Sequence, residues 1–572
     1  MAITTTIKTI QDIMRKDVGV DGDAQRISQL VWMFFLKIFD DREQEYELME
    51  EGYRSPIPER YQWRHWAADT EGITGEELLE FVNAMFRDLK NLSPNPGDDP
   101  RGFIVREVFE DAYNYMKSGT LMRQVINKIN EIDFNRSEDR HLFGDIYEKI
   151  LADLQSAGNA GEYYTPRAVT QFMVDMLDPQ LGETLLDPAC GTGGFLACAI
   201  EHLRQQVKTP EDEHTLQRSI TGVEKKPLPH LLCVTNMMLH GVEVPSQIRR
   251  DNTLERPLRD YSERDRVDLI VTNPPFGGTE EDGIENNFPQ ALRTRETADL
   301  FLVLIVRLLK NGGRAAIVLP DGTLFGEGVK TRIKAQLLET CNLHTVVRLP
   351  NGVFNPYTRI KTNLLFFTKG EPTKTIWYYE HPYPPGVKSY SKTKPMRIEE
   401  FEPEKEWWED REENEYAWKV DFEQVRTDVT ARATPHWNAA MEADEQAKKR
   451  AQDATELTEQ LKGLQTQLKE PLFAQNAAAL PAQIEDLQQR IDQLKSDEQH
   501  QLTTTKREKD AGDAIHTAIF NLDIKNPHTA ADEHTDPTEL LIDYQKRLAE
   551  IAELKNTLKK HLQTALEQTD GT

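Results

Sequence analysis

The chain has 572 residues, 38% of them hydrophobic, and its 69 basic and 96 acidic residues leave a formal net charge of −27. This length exceeds one ordinary hydrophobic core and predicts roughly three or four folding units. The charge has the wrong sign for a chain that wraps a polyanion unaided, so we expect any nucleic acid to be bound with help from another protein.

Export, membrane insertion and a cysteine-based metal site are all disfavoured. The most apolar early stretch, "ISQLVWMFFLKIF" at 27–39, has about thirteen residues, whereas a membrane span needs about 20. The N-terminus has no basic segment leading into an apolar stretch, and the four cysteines lack a paired CxxC spacing. We therefore expect a cytoplasmic protein with reduced thiols, no bound metal and no membrane partner.

The first two regions differ in their hydrophobic pattern. Residues 1–150 predict a helical N-terminal domain, in which one helix face carries Ile27, Leu30, Val31, Phe34, Phe35 and Ile38. In residues 151–370 short apolar strands alternate with helices, and these strands include "ETLLDPA", "SITGVE", "VDLIVTN", "GGRAAIVLP", "HTVVRLP" and "KTNLLFF". The alternation predicts an α/β domain with a Rossmann-like, doubly wound, mostly parallel sheet.

Three further segments follow this domain. Residues 371–431 are acidic and aromatic, and residues 432–516 contain two heptad-like seams that predict an antiparallel, coiled-coil-like helical hairpin. The seams consist of Leu457, Leu461, Leu464 and Leu468, then Ile484, Leu487, Ile491 and Leu494. Residues 517–572 end in a helix whose apolar stripe comprises Leu548, Ile551, Leu554, Leu558 and Leu562. That stripe needs a partner surface, either on another subunit or on this chain.

A glycine turn follows the first strand of the α/β domain. In "LLDPACGTGGF" (185–195) the candidate ligand-binding residues are Gly191, Thr192, Gly193, Gly194 and Phe195. The glycines let a ligand approach the backbone at the carboxyl end of the strand, although such a loop is also typical of a simple tight turn. Because the phosphate-binding lysine of a P-loop is missing, we expect a nucleoside without phosphates.

Acidic residues stand at the ends of three successive strands. Asp187 precedes the glycine turn, Glu224 ends the second strand and Asp251 follows the next short strand. Each carboxylate alone would suit a solvated cap or turn. Together they predict a pocket for S-adenosylmethionine, with its charged amino-acid end near Asp187, its ribose diol at Glu224 and its adenine beside Asp251.

The stretch "LIVTNPPFGG" (269–278) places a carboxamide, two prolines and an aromatic directly behind a buried strand. Adenine's exocyclic amino group is a poor nucleophile because its lone pair is delocalised into the ring. Acceptors at the Asn273 carboxamide oxygen and the Pro274 carbonyl would return electron density to that nitrogen as it attacks a methyl group. Pro274 and Pro275 fix φ and remove backbone donors, and Phe276 offers a face for the base. Alone, NPPF is also typical of an ordinary turn.

Four motifs in this order, "GEYYTPRAV", "DPACGTGGF", "NPPFGG" and "LPNGVFNPYTRIKTNLLFF", resemble those of the γ-class N6-adenine DNA methyltransferases, specifically the modification subunits of type I restriction-modification systems. The resemblance implies a segment that closes over the methionine end of the cofactor, formed by Glu162, Tyr163, Tyr164, Thr165, Pro166 and Arg167. Thr165 is its expected direct contact. It also implies that Phe354 or Tyr357 packs against the target adenine.

The resemblance implies a site-specific DNA methyltransferase in a bacterial or archaeal cytoplasm, with seven strands in the sheet of its S-adenosylmethionine-dependent domain. A base inside a duplex cannot reach such a pocket, so the adenine must be flipped out at a cost of a few kcal/mol. Because the chain has no evident sequence reader, we expect specificity to come from another subunit. The resemblance implies duplex DNA and a specificity subunit flanked by two modification subunits as partners. A restriction and translocase subunit joins them in the full complex.

One departure from the family pattern and three other functions stay open. Residues 432–516 separate "ENEYAWKV" from "NLDIKNPH", elements that lie closer together in the family, and this insertion suits either a spacer or a partner-binding arm. A protein glutamine methyltransferase would use the same Asn-Pro-Pro chemistry on a planar amide. A restriction-methylation fusion would need nuclease or helicase motifs, and neither is evident. A non-catalytic scaffold would bind cofactor without needing Asn273.

Overall fold

The computed structural model describes residues 2–92, 99–134, 147, 165–355, 358, 360–391, 394–469, 479–528 and 555. Residues 1–524 form one contact unit and residues 525–572 a second, and all helices and strands named below lie in the first. The predictions made for Glu162, Tyr163, Tyr164, Tyr357 and the stripe residues Leu548, Ile551, Leu554, Leu558 and Leu562 fall outside the described residues.

The described N-terminal part consists of α-helices: α1 (Ala2–Met14), α2 (Asp23–Met49), α3 (Trp63–Trp66), α4 (Gly75–Lys90), α5 (Pro100–Glu110) and α6 (Gly119–Ile129). The six apolar residues predicted to line one helix face all lie in α2 and are buried. Burial of that face against neighbouring helices, rather than helix propensity, is what stabilises such a helix. No helix in the described ranges is both long and apolar enough to cross a membrane.

One sheet organises the described part of the α/β region. Its strands are β1 (Leu185–Asp187), β2 (Ile220–Glu224), β3 (Ile248–Arg250), β4 (Val267–Thr272), β5 (Leu309–Pro320), β6 (Cys341–Arg348), β7 (Thr362–Lys369), β8 (Thr375–Glu380) and β9 (Ala417–Asp421). The spatial order is β3-β2-β1-β4-β5-β7-β6-β8-β9. Strands β1 to β5 pair in parallel, whereas β7 is antiparallel to both β5 and β6. The α/β prediction is confirmed.

The sheet in the described residues has two strands more than the seven predicted. β8 pairs in parallel with β6, and β9 pairs antiparallel with β8. Both come from residues 371–431, whose charged side chains hide the strand pattern. Between these two strands lies the short helix α14 (Glu402–Glu409). Aromatic burial explains this addition, since Tyr378 and Trp418 stack with ring centroids 5.3 Å apart.

Helices cover the sheet: α7 (Arg167–Leu177), α8 (Gly194–Arg204), α9 (Pro210–Ser219), α10 (Pro227–Leu239), α11 (Thr297–Leu308), α12 (Asp321–Phe325) and α13 (Val329–Thr340). Strand β4 shows the two-faced burial directly. Leu269 and Val271 join one core cluster with the N-terminal helices, while Ile270 joins another with α11 and α13. Successive residues of a strand point to opposite faces, so a parallel strand covered on both sides is apolar throughout.

The predicted helical hairpin is formed by α15 (Phe422–Lys469) and α16 (Leu480–Thr517). Its first helix begins directly after β9, ten residues before the predicted segment boundary. Toward the tip, Leu461, Leu487 and Ile491 are buried in a small cluster with other members of the predicted seams. The pairing of Leu461 with Leu487 and of Trp437 with Asp513 shows that the two helices run antiparallel.

The start of the "NLDIKNPH" element is attached to the α/β domain. Arg348, at the end of β6, donates to the Ile524 carbonyl at 3.0 Å and forms an ion pair with Asp523. The Tyr378 hydroxyl donates to the Leu522 carbonyl at 3.1 Å. Residues 522–524 therefore pack beside the ends of β6 and β8 rather than continuing the hairpin.

Candidate active site

The glycine turn between β1 and α8 has two glycines in the left-handed region, Gly191 at φ +54° and Gly193 at φ +84°. A Cβ at Gly193 would lie 2.8 Å from the Cys233 sulfur, whereas a Cβ at Gly191 would meet nothing within 4 Å. Packing therefore requires Gly193. The space beside Gly191 is open, as a ligand that approaches the backbone needs.

Glu224, at the end of β2, lies against the glycine turn. The Gly191 N–H donates to its Oε2 at 3.0 Å, and the Lys226 N–H donates to its Oε1 at 2.7 Å. Each carboxylate oxygen has further acceptor capacity. The carboxylate is thus held in a fixed direction beside the open space, which suits a role as acceptor for a diol.

Asp187 is buried at the end of β1, with 1% of its surface exposed. Its Oδ1 accepts from the Ala189 N–H at 3.1 Å, and its Oδ2 has no hydrogen-bond partner. Burial raises the pKa of this carboxyl to about 7, because it outweighs the lowering effects of the nearby Thr272 hydroxyl and the Ala189 N–H, and the Glu224 charge adds a smaller rise. A cationic ligand group would restore the ionised form.

Asp251 lies next along the sheet edge, one residue after β3. Its N–H donates to the Glu224 carbonyl at 3.0 Å, and its Oδ1 accepts from the Asn252 N–H at 2.8 Å. The side chain is exposed. The three predicted acidic residues therefore stand at the ends of adjacent strands β1, β2 and β3, because the carboxyl ends of parallel strands share one edge.

Asn273 follows β4, the neighbour of β1 on the other side. Its Nδ2 donates to the Thr165 hydroxyl oxygen at 2.8 Å, while its Oδ1 is buried and has no hydrogen-bond partner. Pro274 is buried and Pro275 is exposed. The carboxamide oxygen and the Asp187 Oδ2 are thus two buried acceptors without donors on adjacent strand ends.

Phe276 and Phe354 pack against each other, with ring centroids 6.0 Å apart and planes at 85°. Each side chain is only 2% exposed. The sequence predicts that Phe276 offers a face to a base and that Phe354 or Tyr357 packs on it. In this structure both described rings are buried, so stacking of a base on either ring requires the residues around it to move.

The remaining predicted residues have structural partners. The Thr192 carbonyl accepts from Asn236 Nδ2 at 3.1 Å, and Phe195 is buried in the core. Pro166 directly precedes α7, and Arg167 donates to Glu201 Oε2 at 2.7 Å and to the Gly194 carbonyl at 3.4 Å. Arg167 therefore ties the start of α7 to the glycine turn.

Sequence reasoning missed two polar residues that support the site. Asn236, on α10, holds the glycine turn through the Thr192 carbonyl, and the buried Thr253 hydroxyl donates to the Pro188 carbonyl at 2.6 Å. Neither residue belongs to a motif, so no pattern in the sequence identifies it. Their role follows from contacts between distant parts of the chain.

Comparison with known proteins identifies the family of the chain. Two family models match, HsdM N-terminal domain over residues 3–129 and N-6 DNA Methylase over residues 138–446. The type I restriction enzyme EcoEI methylase subunit of Escherichia coli is 63% identical over 580 residues, with 100% of both chains covered. The chain belongs to the methylase subunits of type I restriction enzymes.

Solved structures of similar proteins support the same fold for this methylase subunit. A modification subunit of a putative type I restriction enzyme from Vibrio vulnificus YJ016 has 47% identity and a TM-score of 0.67, covering 74% of this chain and 93% of its own. A structure concerned with complex assembly and conformational transition of the type I R-M system has 32% identity and a TM-score of 0.69, covering 98% of both chains.

Proposed function

We propose that this methylase subunit transfers a methyl group from S-adenosylmethionine to N6 of a flipped adenine in duplex DNA, at sites chosen by a separate specificity subunit. The observation that carries the proposal is the buried, unpartnered carboxamide oxygen of Asn273, one strand away from the open glycine turn at Gly191. A buried acceptor without a donor is costly, and a substrate amino group would supply the missing donor.

The residues of the turn fit S-adenosylmethionine. Asp187 supplies a buried, unpartnered oxygen for a cationic amino-acid end, Glu224 supplies acceptors for a ribose, and Asp251 lies next to them. The cofactor, when bound, supplies an electrophilic methyl group on a sulfonium. The open space at Gly191 allows close approach to the backbone.

In the transfer step the N6 nitrogen forms a bond to the methyl carbon as the carbon–sulfur bond breaks, and N6 afterwards releases one proton to solvent. Asn273 Oδ1 and the Pro274 carbonyl would accept the two N6 hydrogens and keep electron density on nitrogen. Neither group has to remove a proton before attack. Their contribution is electrostatic and positional, of the kind that is worth about 100-fold or more in rate for one well-placed group.

Adenine reaches this edge only after leaving the duplex. Extrusion costs a few kcal/mol, roughly, and stacking on an aromatic ring returns about 1–3 kcal/mol. Phe276 and Phe354 are the described candidates for that stacking. We propose that their mutual contact opens as the base enters, and Tyr357 stays a third candidate.

The partners follow from charge and family. A net charge of −27 disfavours unaided DNA binding, and a similar chain is described in a study of type I complex assembly. We propose one specificity subunit flanked by two copies of this methylase subunit, joined in the full complex by a restriction and translocase subunit. The apolar stripe that the sequence predicts between Leu548 and Leu562 is the proposed contact with the specificity subunit.

The test is co-expression of the chain with the neighbouring specificity gene, followed by mapping of N6-methyladenine in host DNA. We expect methylation at a defined DNA sequence and its loss in Asn273→Ala. Asn91→Ala, an exposed position at the end of α4, serves as the matched control and should keep wild-type methylation. A purified complex that methylates a glutamine-containing peptide but leaves adenine unmodified would instead favour the protein methyltransferase alternative.

A further inference from the structure

The hydrogen bond between Thr165 and Asn273 joins two motifs that lie 108 residues apart. Thr165 stands two residues before α7, and its hydroxyl oxygen accepts from the Asn273 amide nitrogen at 2.8 Å. The opposite end of the same carboxamide, Oδ1, is buried without a partner. The atom that the proposed reaction needs, Oδ1, is therefore the end of the amide without a hydrogen-bond partner.

An amide side chain can rotate to exchange its oxygen and nitrogen, and only one orientation serves the proposed reaction. With Nδ2 on Thr165, Oδ1 points away from Thr165 and accepts an N6 hydrogen. In the exchanged orientation an N–H donor would face the N6 hydrogens, and the two groups would repel each other. In the structure the carboxamide already has the productive orientation, and its hydrogen bond to the Thr165 hydroxyl oxygen holds it in place before substrate arrives.

We infer that Thr165 is a positioning residue for the methyl transfer: it holds the Asn273 carboxamide with Oδ1 toward the target amino group. This inference rests on the proposed function and adds to the expected contact of Thr165 with the cofactor. Donation from Nδ2 also polarises the amide and makes Oδ1 a stronger acceptor. Thr165 acts through Asn273 and does not itself touch the reacting nitrogen.

The test uses the complete complex with its specificity subunit and compares three variants. Thr165→Val keeps the shape of the side chain but removes the acceptor, and Thr165→Ser keeps the acceptor. Thr170→Val is the matched control, since Thr170 lies on α7 and its hydroxyl donates to the Arg167 carbonyl. Equilibrium dialysis with S-adenosylmethionine and thermal unfolding are measured for each variant beside the transfer rate.

The deciding measurement is the single-turnover transfer of labelled methyl groups to target DNA at saturating S-adenosylmethionine. We expect Thr165→Val to be slower by about 10- to 100-fold, because a small misplacement of a catalytic group costs that much. Thr165→Ser and Thr170→Val should stay within about three-fold of wild type.

Two results would overturn the inference while leaving the proposed function intact. In the first, Thr165→Val weakens cofactor binding but transfers at the wild-type rate once saturated, which makes Thr165 a cofactor contact only. In the second, Thr165→Ser is as slow as Thr165→Val. If the wild-type complex binds cofactor and target DNA yet transfers no methyl group to adenine, the proposed function and the inference both fail.

Discussion

Two buried oxygens at neighbouring strand ends are the most informative atoms of the molecule. Asp187 Oδ2 and Asn273 Oδ1 both lack hydrogen-bond partners, and a buried acceptor left without a donor costs about 1–3 kcal/mol. Asp187 ends β1 and Asn273 follows β4, and these two strands are paired. Both unsatisfied oxygens therefore lie at the same edge of the sheet. Donors from a ligand would remove both, which is how binding at this edge would stabilise the fold.

The raised pKa of Asp187 predicts a pH dependence for cofactor binding. Burial raises this pKa to about 7, and a cationic ligand group binds the ionised carboxylate. The affinity for S-adenosylmethionine should therefore fall as the pH drops below about 7, by about ten-fold per pH unit well below the pKa. Calorimetric titration of the chain from about pH 5.5 to about pH 7.5 measures it.

The control for this prediction is Asp187→Asn. This variant should bind S-adenosylmethionine more weakly than wild type, and its affinity should no longer depend on pH in this range. The stability of the fold gives a second test, because it should change with pH in the opposite direction to the affinity. Because the pKa lies above its ordinary 3.8, the folded wild-type chain loses stability as the pH rises from about 4 to about 7. Without cofactor and above about pH 7, the unfolding free energy of Asp187→Asn should be larger than that of wild type by up to about 4 kcal/mol. Binding that is independent of pH would contradict this account of Asp187.

At the scale of elements, two helical glycines in the hairpin sit in opposite environments. A Cβ at Gly512, in α16, would lie 2.6 Å from Trp437 Cδ1, whereas a Cβ at Gly463, in α15, would meet nothing within 4 Å. Trp437 is held in place because its Nε1–H donates to Asp513 at 2.9 Å. The same substitution should therefore act with opposite signs at the two positions.

Gly512→Ala should destabilise the hairpin by about 1–3 kcal/mol because the new methyl displaces Trp437. Gly463→Ala should stabilise it by about 0.5–1 kcal/mol, since alanine loses less backbone entropy in an exposed helix. Hydrogen exchange of peptides from residues 422–517 in the full-length chain measures both effects. Equal protection in the two variants would mean that the helices do not pack as described near Trp437.

For the whole molecule, charge predicts how binding to DNA depends on partners. With a net charge of −27, the isolated chain should bind a target duplex about 100-fold or more weakly than the complex with its specificity subunit at about 0.15 M salt. Mobility-shift titrations of both samples on the same duplex measure the difference. Tight binding by the isolated chain would show that a local basic surface outweighs the overall charge.

Much of the fold could be predicted because its signals are local. The face of α2, the strand–turn–helix at the glycine turn and the hairpin seams depend on residues close in sequence, whose spacing reports helix or strand periodicity directly. The strands β8 and β9 could not be predicted in this way. They are added to the sheet edge through tertiary packing of aromatic residues such as Tyr378 and Trp418, which overrides their charged surroundings.

The candidate site, like the fold, has some features that the local sequence predicts and others that depend on tertiary contacts. Sequence alone determined which residue types stand at the strand ends, because turn chemistry and buried-strand patterns are properties of neighbouring residues. Only the tertiary structure decided that Thr165 meets Asn273, that Phe276 and Phe354 cover each other, and that Asp187 is buried deeply enough to raise its pKa. Such contacts and burial depend on which distant surfaces the fold brings together, and no local spacing records that.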